Sequence, residues 1–119
     1  MHELSVCMSL LDQVAAIARE RGASKVTRIE LRVGPLSGVE VDLLRHAYPM
    51  AAAGTIAVDA ELVIESADVV VRCSLCGAES DAKPNRLLCG SCGDFRTNVI
   101  SGDELILQRV ELDELAPAG

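Results

Sequence analysis

With 119 residues and a net charge of −7, the chain has room for one modest core and a small appendage. Its acidity argues against a nucleic-acid partner, because phosphates attract basic surfaces. Half of the residues are hydrophobic, yet there is one Phe, one Tyr and no Trp, so the core must be built from Leu, Val, Ile and Ala. The longest apolar runs are far too short to span a bilayer, and no signal peptide is recognisable, so a cytoplasmic protein is expected.

The chain opens Met1-His2-Glu3. A residue as bulky as histidine at position 2 implies that the initiator methionine is retained with a free α-amine. That amine, the backbone nitrogen of His2 and the His2 imidazole can close adjacent chelate rings on one ion. A near-planar, nitrogen-rich set of this kind suits Ni(II) or Cu(II). The Glu3 carboxylate is placed to complete or adjust it. The dipole of the helix that follows favours an anionic amide or Glu3 at this end, though it disfavours the bare cation. Against this stands the plain reading that a lone histidine is a surface residue.

Residues 4–21 read as an amphipathic helix, with Leu4, Cys7, Leu11, Val14 and Ala18 as one stripe and Leu10 and Ile17 beside it. Cys7 belongs to this stripe and reads as a small buried hydrophobe. Gly22 is placed as a C-cap. Residues 26–33 alternate over Ile29, Leu31 and Val33, which predicts a half-buried strand ended by Gly34-Pro35. Ser37-Gly-Val-Glu40 has the form of a capping box opening a second helix, with Leu43, Leu44 and Ala47 as its inner face. His46 lies on this helix and reads as surface or packing. Pro49 is expected to kink or end the helix unless its neighbours compensate. Residues 60–72, rich in Val, Ile and Leu, predict a long second strand, and Leu105 to Leu112 a third. The strands flanking the intervening segment are expected to pair with each other, and the tail after Glu114 to fray.

Between those strands lie two Cys-x-x-Cys-Gly hooks, Cys73-Ser-Leu-Cys76-Gly77 and Cys89-Gly-Ser-Cys92-Gly93, separated by twelve residues. Four thiolates at this spacing can close a tetrahedral metal site with no position left for substrate. A chain that wraps around a metal needs residues tolerant of positive φ, which the two glycines supply. Structural zinc is the expected occupant, although iron also accepts four thiolates. Disulfides suit an oxidising compartment, and a thioredoxin-like pair would open a helix after a strand, whereas both hooks lie in polar, turn-rich sequence. Within residues 73–92, Glu79 and Asp81 cancel Lys83 and Arg86, so no basic stripe is offered to nucleic acid. The organisation predicted is α+β: a discontinuous domain of residues 1–72 and 96–119, interrupted by a zinc-ribbon-like four-cysteine module at 73–95. No acid/base pair, activated nucleophile or phosphate loop is present, so no catalytic centre or organic cofactor site is expected.

Taken together, Met1-His2-Glu3-Leu4-Ser5, Arg32-Val33-Gly34 with Ser37-Gly38-Val39-Glu40, and the paired hooks followed by Gly102-Asp103-Glu104-Leu105 resemble the HypA/HybF family of nickel metallochaperones for [NiFe]-hydrogenase maturation. The resemblance covers essentially the whole chain. It implies a nickel-binding domain of two helices and a three-stranded sheet, interrupted by a zinc domain. It implies Ni(II) at His2 with the Met1 amine, the His2 amide and Glu3, and structural Zn(II) at Cys73, Cys76, Cys89 and Cys92. The partners implied are a HypB-type GTPase and the hydrogenase large subunit, for a carrier that is a monomer or weak homodimer. Two other readings use the same residues: a zinc-ribbon interaction module whose histidine is incidental, and a rubredoxin-like iron electron carrier.

Overall fold

A computed structural model describes residues 2–114. The elements in chain order are α1 (His2–Glu20), β1 (Ala23–Val33), α2 (Val41–Ala52), β2 (Glu61–Ser66), β3 (Val70–Cys73), β4 (Glu79–Asp81), β5 (Thr97–Ser101) and β6 (Leu105–Glu114). They form two three-stranded sheets, ordered β2-β1-β6 and β4-β3-β5. The chain divides into two compact units. One holds the described parts of Met1–Leu31, Val39–Ile64 and Leu107–Gly119; the other holds Arg32–Gly38 and Glu65–Ile106.

The first unit is built as the periodicities predict. Cys7, Leu11, Val14 and Ala18 are the buried line of α1, and Val26, Ile29 and Leu31 are the buried positions of β1 in this unit. Gly22 ends α1, its N–H bonded to the Arg19 carbonyl at 3.2 Å. The Cys7 thiol donates to the Leu44 carbonyl at 3.6 Å, so the fifth cysteine joins the two helices. Tyr48 is buried beside it and satisfies its hydroxyl on the Ala57 carbonyl at 2.9 Å. The opposite side of β1 is charged: Arg28 lies within 3.4 Å of Glu30, Glu61 and Glu111, tying all three strands.

Several expectations are corrected, and the condition set on Pro49 is met. The capping box does not form. Ser37 lies in a turn, its N–H on the Gly34 carbonyl, and the N-cap is Glu40, which makes no side-chain cap bond. Leu43 points outward at 47% exposure while Leu44 is fully buried, so the inner face of α2 is Leu44, Ala47, Tyr48 and Ala52. Pro49 does not end the helix, which runs on to Ala52 with the Ala53 N–H on the Pro49 carbonyl at 3.1 Å. Only one ladder bond is forfeited, in a last turn already held by the buried Ala52.

The predicted strand 60–72 is two strands in two sheets. Its apolar pattern is continuous, but at Ala67–Val69 the backbone is claimed by other partners. The Ala67 N–H bonds the Val33 carbonyl at 3.0 Å, and the Asp68 carbonyl accepts the Ser101 hydroxyl at 2.9 Å. The outer strands β2 and β6 do not pair with each other, because β1 sits between them; it is β3 that pairs, antiparallel, with β4 and with the unforeseen β5.

In the second unit, Gly34 and Gly102 bring two distant sequence segments together. The Leu36 N–H bonds the Gly102 carbonyl at 2.7 Å, and the Gly34 N–H bonds the Glu104 carbonyl at 2.8 Å. A Cβ on Gly34 would collide with the Gly102 backbone. The tail after Glu114 lies outside the described residues.

Leu44→Ala is expected to destabilise the protein by about 2–5 kcal/mol, the usual range for emptying a fully buried site, whereas Leu43→Ala falls within about 0.5 kcal/mol. Urea unfolding of the two variants tests the outward placement of Leu43. Equal losses would show that both leucines face the core.

Candidate metal centres

The two hooks fold into near-identical turns. In the first, the Cys73 N–H bonds the Ala78 carbonyl at 2.9 Å and the Gly77 N–H returns to the Cys73 carbonyl at 3.0 Å. In the second, the Cys89 N–H bonds the Asp94 carbonyl at 2.9 Å and the Gly93 N–H returns to the Cys89 carbonyl at 2.9 Å. Gly77 and Gly93 close these turns at φ of 75° and 78°, a region that L side chains rarely adopt. This explains the glycine after each second cysteine. Flanking bonds hold the turns: the Asp94 carboxylate takes the Arg96 guanidinium at 3.0 Å, and the Thr97 hydroxyl donates to the Leu87 carbonyl at 2.8 Å.

All four sulfurs lie within 4.8 Å of one another, with Cys73–Cys92 and Cys76–Cys89 each at 3.6 Å. A disulfide would need about 2.05 Å, and the four cysteines are free. Tetrahedral Zn²⁺ with bonds of about 2.3 Å places its sulfurs about 3.8 Å apart, so the cluster fits a tetrathiolate ion. Cys73 and Cys89 are buried; Cys76 and Cys92 are exposed.

The same backbone grades the thiols. Cys89 is lowered to about 6 by the N–H groups of Cys92 and Ser91, which reach its sulfur at 3.4 and 3.3 Å. Cys73 is lowered chiefly by the Cys76 N–H at 3.5 Å, with Leu75 helping. The other two move the opposite way. The N–H groups of Ala78 and Asp94 favour the thiolates of Cys76 and Cys92, but neighbouring sulfurs and burial outweigh them, and Cys92 is pushed up to about 12. Four thiolates at this separation repel one another, and a divalent cation removes that obstacle.

At the chain start, His2 is the first residue of α1 and is exposed. Glu3 is half-buried, and its carboxylate accepts the Glu40 N–H at 3.4 Å. The head of α2 thus holds an acid supplied by α1, where the helix dipole favours negative charge. This contact was not foreseen. Its signal was Glu40 itself, which the capping-box reading used up. Met1, whose amine is the remaining predicted ligand, lies outside the described residues. Glu3 also borders a groove of about 250 Å³ with Leu4, Leu43, His46, Ala47 and Met50. No described helix is long and apolar enough to cross a membrane.

The family described as "Hydrogenase/urease nickel incorporation, metallochaperone, hypA" matches residues 1–112. The chain is 51% identical over 112 residues to the hydrogenase maturation factor HypA of Nitrosospira multiformis, covering 94% of this chain and 97% of that protein. It is 40% identical over 113 residues to the protein of the same name from Aquifex aeolicus, covering 95% and 98%. The fold is similar to the solution structure of the Ni metallochaperone HypA from Helicobacter pylori, with a TM-score of 0.69 at 23% identity, covering 95% of this chain and 98% of that one.

Two outcomes are expected at the sulfur cluster. Cys89→Ala should lose stoichiometric zinc and melt the segment around 73–95, because zinc supplies folding free energy on the order of 10 kcal/mol in small modules. Metal analysis and thermal unfolding check this; retained zinc with unchanged melting would sink the claim. Zinc binding at neutral pH should also release protons, since Cys76 and Cys92 hold theirs above the ordinary thiol range. Zinc affinity should then fall as pH falls. Calorimetry in buffers of different ionisation enthalpy reads the release directly.

Proposed function

The chain belongs to the HypA family, and we propose that it carries Ni(II) at its N-terminus and delivers it for [NiFe]-hydrogenase maturation, with a structural zinc held by its four hook cysteines. The nickel ligands are the Met1 amine, the His2 amide and imidazole, and Glu3. The zinc ligands are Cys73, Cys76, Cys89 and Cys92. Nickel is the cargo and zinc the staple; no catalytic step is assigned.

The observation that carries this reading is the contrast between the two ligand sets. The cysteines are gathered in one unit, where the buried Cys73 and Cys89 each accept backbone N–H bonds on sulfur. Zinc there would supply a closed shell and a cross-link between two turns. His2 and Glu3 belong to the other unit, at the head of a helix where His2 is exposed. Amine, imidazole and carboxylate suit Ni(II), and exposure lets an acceptor reach the ion. A thiolate cage keeps its metal; an open terminal chelate can hand its metal on.

The family implies delivery through a HypB-type GTPase to the hydrogenase large subunit in the cytoplasm, and both partners are part of this reading. The module carrying zinc is assigned to residues 73–95. Nucleic acid has no place in it, given the net charge of −7.

His2→Ala is expected to abolish nickel binding while zinc content and circular dichroism stay at wild-type values. Calorimetric nickel affinity equal to wild type would exclude the terminal site. Extending the N-terminus by one residue should weaken nickel binding sharply, because the amine becomes an amide. An extended protein that binds nickel as tightly as the free-amine form would rule out amine ligation but leave the imidazole in place.

A further inference from the structure

Each hook offers one cysteine to solvent and keeps one inside. Cys76 and Cys92, the second cysteines, are exposed; Cys73 and Cys89, the first, are buried. The two 3.6 Å contacts cross between the hooks, and each joins an exposed cysteine to a buried one: Cys92 to Cys73, and Cys76 to Cys89. The pairs are nested, 19 and 13 residues apart in sequence, so both can close at once without crossing. The buried sulfurs are fixed by N–H groups of their own hooks, from Leu75 and Cys76 onto Cys73 and from Ser91 and Cys92 onto Cys89.

We propose that the four cysteines are also a reversible oxidation site, at which peroxide closes two disulfides between the hooks, Cys73–Cys92 and Cys76–Cys89. The inference deepens the zinc reading above and takes from it only the ion that oxidation displaces. Exposure decides where the reaction starts, because an accessible thiolate is the one that peroxide reaches. The sulfur of Cys92 or Cys76 attacks hydrogen peroxide, expels hydroxide and becomes a sulfenic acid. The sulfur of its buried partner then attacks that sulfenic sulfur and expels a second hydroxide, which leaves a disulfide. Each pair gives two electrons to one peroxide. Two peroxides thus oxidise all four thiolates, and the four hydroxides become water by taking up solvent protons. A disulfide sulfur carries no thiolate charge and is a poor ligand, so a zinc ion held by the four cysteines is released.

Geometry selects the pairing. A disulfide needs about 2.05 Å, so each 3.6 Å pair has to close by about 1.5 Å, with the resolving sulfur already beside the one attacked. Bonds within a hook would leave the two turns unjoined. Bonds between the hooks replace the cross-link that a metal supplies, and a covalent cross-link restrains the unfolded chain. The oxidised module therefore stays assembled without its ion and takes zinc again once reduced. Cys7 takes no part: it is buried in the other unit, with its thiol on the Leu44 carbonyl.

The test uses the full-length reduced protein with its zinc bound, treated with a small excess of hydrogen peroxide. Zinc release is followed with a chromogenic chelator. Remaining thiols are blocked, and disulfides are mapped by tryptic digestion and tandem mass spectrometry. Cleavage after Arg86 separates the hooks, so only bonds between them keep the two peptides joined. The expected result is joined peptides carrying Cys73–Cys92 and Cys76–Cys89, zinc released in step with them, Cys7 still reduced, and zinc rebound in full after dithiothreitol. Bonds within the hooks, the alternative cross-hook pairs Cys73–Cys89 and Cys76–Cys92, sulfinic acids without disulfides, or thiols untouched by peroxide would each overturn the proposal. Protein that holds no zinc before oxidation fails the zinc reading alone, and the disulfide map still decides the pairing.

Discussion

Four sulfurs held within 4.8 Å of one another are the constraint around which the cysteine-bearing unit is arranged. Sulfurs so close cannot all be thiolates in isolation, and backbone N–H groups relieve only part of the repulsion. They draw down Cys89 and Cys73, the first cysteine of each hook, and leave Cys92 pushed up to about 12. The turns therefore prepare half of a charge balance, which a divalent cation would complete. Much of the surrounding structure serves to present these turns. Strand β3 ends at Cys73, β5 pairs with it from Cys73↔Thr97 onward, and β4 begins two residues after Gly77.

The other unit solves a different problem. With no Phe or Trp and only Tyr48 as an aromatic, it builds its core chiefly from aliphatic side chains on α1, β1 and α2, with Cys7 packed among them. That core orders the helix whose first residue is His2. A terminal chelate without such a base would be a free peptide, and its ligands would have to be ordered anew with each ion. Here Glu3 is held on the α2 head by the Glu40 N–H.

What the sequence made legible follows from how local each signal is. The stripe of α1, the alternation of β1 and the doubled hooks are set by spacing within one segment, and each stands where spacing placed it. The misreadings concern where segments go next. Residues 60–72 keep one apolar pattern while the backbone changes sheets at Ala67–Val69, a switch made by Val33 and Ser101, both remote in sequence. Ser37-Gly-Val-Glu40 satisfies the capping-box pattern, yet the Gly34 carbonyl takes the Ser37 N–H and makes a turn there. Strands β4 and β5 are three and five residues long, too short for alternation to stand out. Leu43 and Leu44 are adjacent and chemically alike, and only the packing of α2 decides which one is buried.

The placement of the donors follows the same distinction between local and remote. All four sulfurs come from two short hooks, so their grouping is written in local sequence. At the chain start His2 and Glu3 are equally local, but the N–H that meets the Glu3 carboxylate comes from Glu40 at the head of α2. A carrier must hold its ion firmly enough to exclude competitors and loosely enough to surrender it. Ligands contributed by one chain terminus bind together. Under the proposed function, a terminal chelate seated on an ordered helix, with Glu3 tied to the Glu40 N–H, would meet both demands.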